Sequence, residues 1–251
     1  MRILILPTRW ESRAALRSLP GALPEPEWDV PTWRVGNLLI VEPGIGPELM
    51  AASLPHIESL GPHAVWLFGW CGGLTPELRV GDLVLADATI LSERDHDLAT
   101  RISHPPPDPL LAQVRCLAEK LNLRMIVGPV LTSDHLLTSV EEKRTATATG
   151  AVAVEMEAGP LALWTATRSL PFIHLRVVLD PLVSPLPSTR LLTDEHRRVS
   201  KRTLLFYALT HPRDWSALWN LIRQARAAGQ VTADVIAALT QPDCPLYPKR
   251  N

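Results

Sequence analysis

The stretch from Ala151 to Asp180, AVAVEMEAGPLALWTATRSLPFIHLRVVLD, constrains the fold more than any other part of the chain. It sets two carboxylates, Glu155 and Glu157, on either side of Met156 at the mouth of an apolar segment of helix length. A carboxylate carried into such surroundings must find hydrogen-bond donors or stay protonated. The run that follows, FIHLRVVL, is rich in β-branched residues, of strand length and apolar on both faces. That is the pattern of a parallel strand covered by helices. It stops at Asp180-Pro181. In an open α/β sheet, ligands sit beyond the carboxyl ends of the strands, so Asp180 is expected to point into a pocket.

The rest of the chain reads as the sheet and helices around this stretch. MRILILP carries only a four-residue apolar run, Ile3 to Leu6, before Pro7, far short of a signal or membrane segment, and reads as a first buried strand. Thr8-Arg9-Trp10-Glu11 then leads into a helix with apolar residues at Ala14, Ala15, Leu16 and Leu19. On its own, Glu11 reads as a first-turn acid favoured by the helix dipole. Four prolines between 20 and 34 predict an irregular excursion. NLLIVEP runs into Gly44-Ile45-Gly46, whose amides suit either an anion or a plain strand-to-helix turn, with Pro47 removing one donor. AVWLFGW reads as a buried strand ending in a tight Cys71-Gly72-Gly73 turn. Residues 92–109 are charged and then proline-rich, and read as a surface loop carrying His96 and His104. Residues 110–124 read as an amphipathic helix leading to the strand RMIVGPVLT.

A net charge of -1 gives no electrostatic case for a nucleic-acid partner. Cys71, Cys116 and Cys244 are odd in number and widely spaced, which argues for a reducing cytoplasm and against a disulfide framework or a zinc site. No metal or cofactor is expected. With 46% apolar residues in 251, the chain can bury one large α/β core. The expected organisation is a catalytic core over 1–185, a helical extension over 186–240 and a tail over 241–251.

Three segments in order carry a family resemblance: FGWCGGLTPELRVGDLVLAD at 68–87, LTSDHLLTS at 131–139, and VEMEAGPLALW followed by a strand ending in Asp. Together they resemble the nucleoside phosphorylase and nucleosidase superfamily, which includes 5′-methylthioadenosine/S-adenosylhomocysteine nucleosidase. The resemblance covers roughly residues 1–180 and implies a single domain with a central mixed, mostly parallel sheet flanked by helices. It also implies N-ribosidic bond cleavage, a nucleoside substrate and assembly into homo-oligomers. By position it makes Asp180 the acid that protonates the purine N7, and Glu11 the residue that positions or deprotonates water. It gives the ribose hydroxyls to Glu157 and the sugar face to Met156. The base and sugar lie against Gly72, the glycine turn at Gly46 approaches the ligand, and Asp134 and Leu136 contact the base. Leu136 stands where nucleosidases commonly have Phe. For Glu155 the reading is a carboxylate at a helix N-terminus.

The nucleophile divides two readings. Hexameric purine phosphorylases resemble Arg-x-Gly-Ser-Cys-Gly at the first segment, where this chain has Leu67 and Trp70. Loss of that guanidinium removes a bidentate phosphate clamp and favours water. Arg9 or Arg13 is then the candidate to hold phosphate as co-substrate in a phosphorylase acting on ordinary nucleosides. Trp70 has two fates, lining an apolar channel or packing. A non-catalytic nucleoside-binding protein is a third reading, disfavoured because Glu11, Glu157 and Asp180 are all present.

Beyond Asp180, VVLDPLVSPLP, LLTDEHRR and HPRDWSALWNLIRQARAAGQVTADVIAAL resemble the hopanoid-associated phosphorylases, which release adenine from adenosylhopane. Trp215, Leu218, Trp219, Leu221 and Ile222 lie at helical spacing beside Arg213, Arg223 and Arg226. Such a stripe fits a lipid surface or a greasy substrate, and more commonly a core or subunit contact.

Overall fold

The computed structural model describes residues 1–91, 100–186, 210–212 and 215–239. At its centre lies β1 (Arg2–Ile5), parallel to β4 (Leu38–Val41) on one side and to β5 (Ala64–Gly73) on the other. Its side chains alternate between two cores, which is why the apolar run carries no polar face. Ile3 and Ile5 pack with Leu39, Val41, Met50 and Leu161, whereas Leu4 and Leu6 pack with Ile40, Phe68 and Leu175. Each such side chain contributes about 1.5–3 kcal/mol by leaving water.

Two short strands absent from the proline-rich reading of 20–34 extend this sheet: β2 (Leu23–Pro24) and β3 (Thr32–Val35), antiparallel along the β4 edge. On the other side β10 (Phe172–Asp180) runs parallel to β5 and antiparallel to β6 (Leu83–Leu91). β6 is parallel to β8 (Met125–Thr132), β8 to β9 (Ala153–Glu155), and β9 returns antiparallel to Gly72 and Gly73 of β5. These five strands therefore close into a ring. Its interior is filled by inward-facing residues from every member, Cys71, Val84, Ala86, Val130, Ala153 and Val178.

Six helices cover the sheet among the described residues. α1 (Arg9–Arg17) packs against α6 (Trp215–Leu239), and α6 against β10. α2 (Pro47–Ser59) packs against α5 (Ala158–Thr167). α3 (Asp108–Lys120) and the short α4 (Val140–Ala146) lie in the crossovers before β8 and β9. α6 buries Leu218, Ala228, Val235, Ile236 and Leu239, while Trp215 and Trp219 remain 60% and 59% exposed. The apolar stripe thus divides between core and solvent. Arg213, His96, the LLTDEHRR segment, Cys244 and the tail lie outside the described residues. Among those described, no helix is long and apolar enough to cross a membrane.

Three local readings are corrected. The 92–109 segment is not all loop: Thr100–Ser103 forms β7, paired with β6, because Ile102 packs into the α2–α5 core and draws the chain back to the sheet. His104 follows it inward, its ring 4.9 Å from Phe172 and its Nε2 2.8 Å from the Thr89 hydroxyl. Gly72 and Gly73 form no turn but end β5. Glycine is needed there for close approach: a Cβ on Gly72 would meet Val154 Cγ1 at 3.1 Å and Asp180 Oδ2 at 3.2 Å.

Candidate active site

The site forms where the open sheet meets the ring, around the end of β5. Glu11 is the third residue of α1 and completes a capping box with Thr8: its amide donates to Thr8 Oγ1 at 3.2 Å, and Thr8 N donates to Glu11 Oε2 at 2.7 Å. The dipole reading of Glu11 therefore describes one oxygen only. The other, Oε1, accepts from the Trp70 amide at 2.6 Å, which draws the carboxylate under β5 and leaves it 2% exposed.

Opposite it stands Arg176, on β10 and fully buried. Its guanidinium donates through Nη2 to Glu155 Oε2 and, at 3.4 Å, to Glu157 Oε2. Nη1 donates to Trp70 O at 3.4 Å, and Nε to His174 Nε2 at 2.9 Å. Arginine stays charged and forks to two acceptors, so it suits a place where several acids converge. Glu155 also accepts from Thr132 Oγ1 at 2.5 Å and, through Oε2, from the amides of Glu157 and Ala158, each at 2.8 Å. It is thus the carboxylate at the α5 N-terminus, as read, and also the main partner of Arg176.

Glu157, 5% exposed, accepts from the Gly46 amide at 3.1 Å. The glycine turn therefore serves the carboxylate, and its amide is already committed. Three buried carboxylates face one guanidinium, which leaves an excess of acid. Burial pushes Glu157 up to about 8 against the pull of Arg176, with Glu155 and Glu11 adding repulsion. Burial also raises Glu11, opposed by Thr8, Arg176 and Trp70.

Gly69 makes this meeting sterically possible. A Cβ there would lie 2.6 Å from Arg176 Nη1 and 2.7 Å from Glu11 Oε1. The sequence reading did not single out Gly69 or Arg176, although a glycine inside a strand and an arginine inside an apolar one were both visible signals.

Asp180 occupies the end of β10, opposite Gly72 across a register irregularity that begins after Val178. It lines a small cleft with Gly72, His135, Leu136, Leu137, Val154, Glu155 and Met156. Its carboxylate receives Lys143, a fully buried lysine of α4 that the sequence reading missed. Lys143 Nζ also donates to Pro181 O at 3.0 Å, Ser184 O at 3.1 Å and Asp180 O at 3.3 Å. Burial pushes Asp180 up to about 6 even though Lys143 pulls it down.

The remaining candidates fall elsewhere. Leu136 is 40% exposed at the cleft, and the carboxylate of Asp134 lies 2.5 Å from His135 Nδ1 beside it. Trp70 packs: its indole N–H donates to Thr232 Oγ1 of α6 at 3.0 Å, and only its backbone joins the acid cluster. Arg9 and Arg13 are exposed on α1.

Known proteins resemble this chain in sequence and in fold. The chain is 28% identical to AMP nucleosidase of Escherichia coli (strain K12) over 170 residues, 62% of this chain and 35% of that protein. It thus spans about a third of that relative's length. It is 27% identical over 156 residues to 5′-methylthioadenosine/S-adenosylhomocysteine nucleosidase of Staphylococcus haemolyticus, covering 57% of this chain and 68% of the relative. The fold matches the Neisseria meningitidis nucleosidase of the same name, solved with methylthio-immucillin-A, at a TM-score of 0.69 and 18% identity, over 94% of this chain and 96% of that one. The family model of the phosphorylase superfamily matches residues 11–206, and the chain belongs to that superfamily.

Proposed function

We propose that the protein hydrolyses the N-ribosidic bond of an adenine-containing nucleoside. The observation that carries this reading is the pairing of one acid in the cleft wall with an acid cluster at its base: Asp180 lines the cleft, and Glu155 joins that cleft to Glu157, Arg176 and Glu11. Breaking the bond from C1′ to N9 needs a protonated base, a sugar able to carry positive charge, and a nucleophile on the far face. Asp180, its pKa raised to about 6 by burial, gives its proton to N7, and the bond electrons leave with the base. Glu157 takes the ribose hydroxyls, and Met156 packs on the sugar. Glu11 accepts a proton from the attacking water.

Water is favoured over phosphate because, among the described residues, no arginine lines the cleft and Arg176 is already bound to carboxylates. The names of the relatives support an adenine base. The resemblance of the segments beyond Asp180 supports an apolar 5′ substituent, of which an adenosylhopane-like chain is the extreme case. The exposed Trp215 and Trp219 suit either a lipid-like surface or a second copy of the chain in a homo-oligomer.

The test is adenine release from adenosine, 5′-methylthioadenosine and an adenosine with a long apolar 5′ chain, each with and without phosphate, with the sugar product identified by mass. Free ribosyl product without phosphate supports the proposal. A sugar 1-phosphate formed only with phosphate replaces it with a phosphorylase, and binding without release replaces it with a nucleoside-binding protein.

A further inference from the structure

Behind the acid cluster lies a second buried group to which none of the roles above is given. His174 is 0% exposed and stands two residues before Arg176 on β10, so the two side chains share a face of the strand. The Arg176 Nε–H points at His174 Nε2 across 2.9 Å. Because the guanidinium keeps its protons, Nε2 must be the acceptor, and the ring proton must sit on Nδ1. Phe172 stacks on the ring at 5.9 Å and His104 lies 6.1 Å away, while Nδ1 is buried without a hydrogen-bond partner among the described residues.

We propose that His174 is a positioning residue, a neutral imidazole whose Nε2 lone pair sets the orientation of the Arg176 guanidinium. Through that guanidinium it sets the carboxylates of Glu155 and Glu157. The inference rests on the nucleosidase reading for its effect on turnover, but not for the tautomer it requires.

Geometry explains why a histidine serves here. The two Nη atoms of Arg176 are taken up by Glu155, Glu157 and Trp70 O, which leaves Nε–H to find its acceptor in His174. An apolar residue there would leave a buried charged donor without its acceptor. A carboxylate would add a fourth acid to a cluster already rich in them. A neutral imidazole accepts without adding charge. The groups facing His174 favour that neutral form: burial, then Arg176, then His104 all hold its pKa well below the usual histidine value. His104, partly buried at the end of β7, is itself lowered by burial.

Two measurements test this. In the wild-type chain without substrate, ¹⁵N correlation spectra of the histidine rings should show His174 protonated at Nδ1 and bare at Nε2, unchanged from pH 8 to pH 5. A proton on Nε2, or an imidazolium in that range, overturns the proposal whatever the enzyme's activity. For turnover, His174→Leu should lower kcat for adenine release by about tenfold or more. His174→Gln, whose side-chain carbonyl can accept from Arg176 Nε, should restore most of the loss at a similar Tm. A His174→Leu variant within twofold of wild type overturns the proposal, and so does a His174→Gln variant as slow as His174→Leu at wild-type Tm. If wild type releases no adenine from any substrate, the nucleosidase reading fails, and the tautomer measurement still decides the inference.

Discussion

Lys143 and Asp180 form an ion pair in which the lysine side chain is fully buried and the aspartate nearly so, and the same ammonium binds the three backbone carbonyls of Asp180, Pro181 and Ser184. One side chain thus fixes the acid and the loop after it. Replacing Lys143 with Met leaves those carbonyls and a buried carboxylate without their donor, at an expected cost of about 3–5 kcal/mol. The loss should be greater at pH 8, where Asp180 is charged, than at pH 5, where it is largely neutral. Urea unfolding at the two pH values measures it.

The same pair predicts a pH profile. Asp180 must carry its proton to act as an acid, so kcat/KM should fall as pH rises through about 6. Asp180→Asn keeps the shape of the side chain but gives it no transferable proton, and turnover should fall about 10²–10⁴-fold. Steady-state rates from pH 5 to 9 check both statements. Unchanged turnover in Asp180→Asn would remove Asp180 as the acid.

Glu157 predicts a stability effect of defined sign. Its folded value of about 8 lies above the ordinary 4.5, so the folded chain binds this proton more tightly than the unfolded one. Its contribution is fully present below pH 4.5 and is lost as pH rises through about 8. Glu157→Gln should therefore flatten the decline of Tm between pH 5 and pH 8, and thermal melts of the two proteins compare the slopes.

Gly69→Ala tests the meeting of Glu11 and Arg176. The added methyl would fall within 2.7 Å of both side chains, so one of them must move. A displacement on that scale should cost about a hundredfold in kcat/KM, while far-ultraviolet circular dichroism stays unchanged.

Much of this arrangement was legible in the sequence because it was written in local pattern. The alternation in ILIL, the β-branched run ending at Asp180 and the paired glutamates each announce burial from neighbouring residues alone. What escaped depends on contacts between distant segments. Lys143 lies in VEEKRTA, an ordinary polar helix by composition, and only the fold brings it under β10. Gly72 and Gly73 carry the residue type of a turn, but the neighbours that require glycine, Val154, Asp180 and Leu78, arrive from elsewhere. His104 lies between a charged run and three prolines, and nothing local showed that β7 would return it to the sheet. Trp70 was read both ways, and Thr232, which draws it to α6, lies at the far end of the chain.

The position of β10 bears on how the protein is made. It is the last described strand in the sequence, yet it sits inside the sheet between β5 and β6. Contacts of such long range form slowly. Until β10 enters, Glu11, Glu155 and Glu157 have no arginine to meet and do better in water, so the ring and the acid cluster must complete together. An intermediate in which the acids are buried but unpaired is therefore disfavoured. A refolding experiment should therefore show activity returning with the final kinetic phase and not before it.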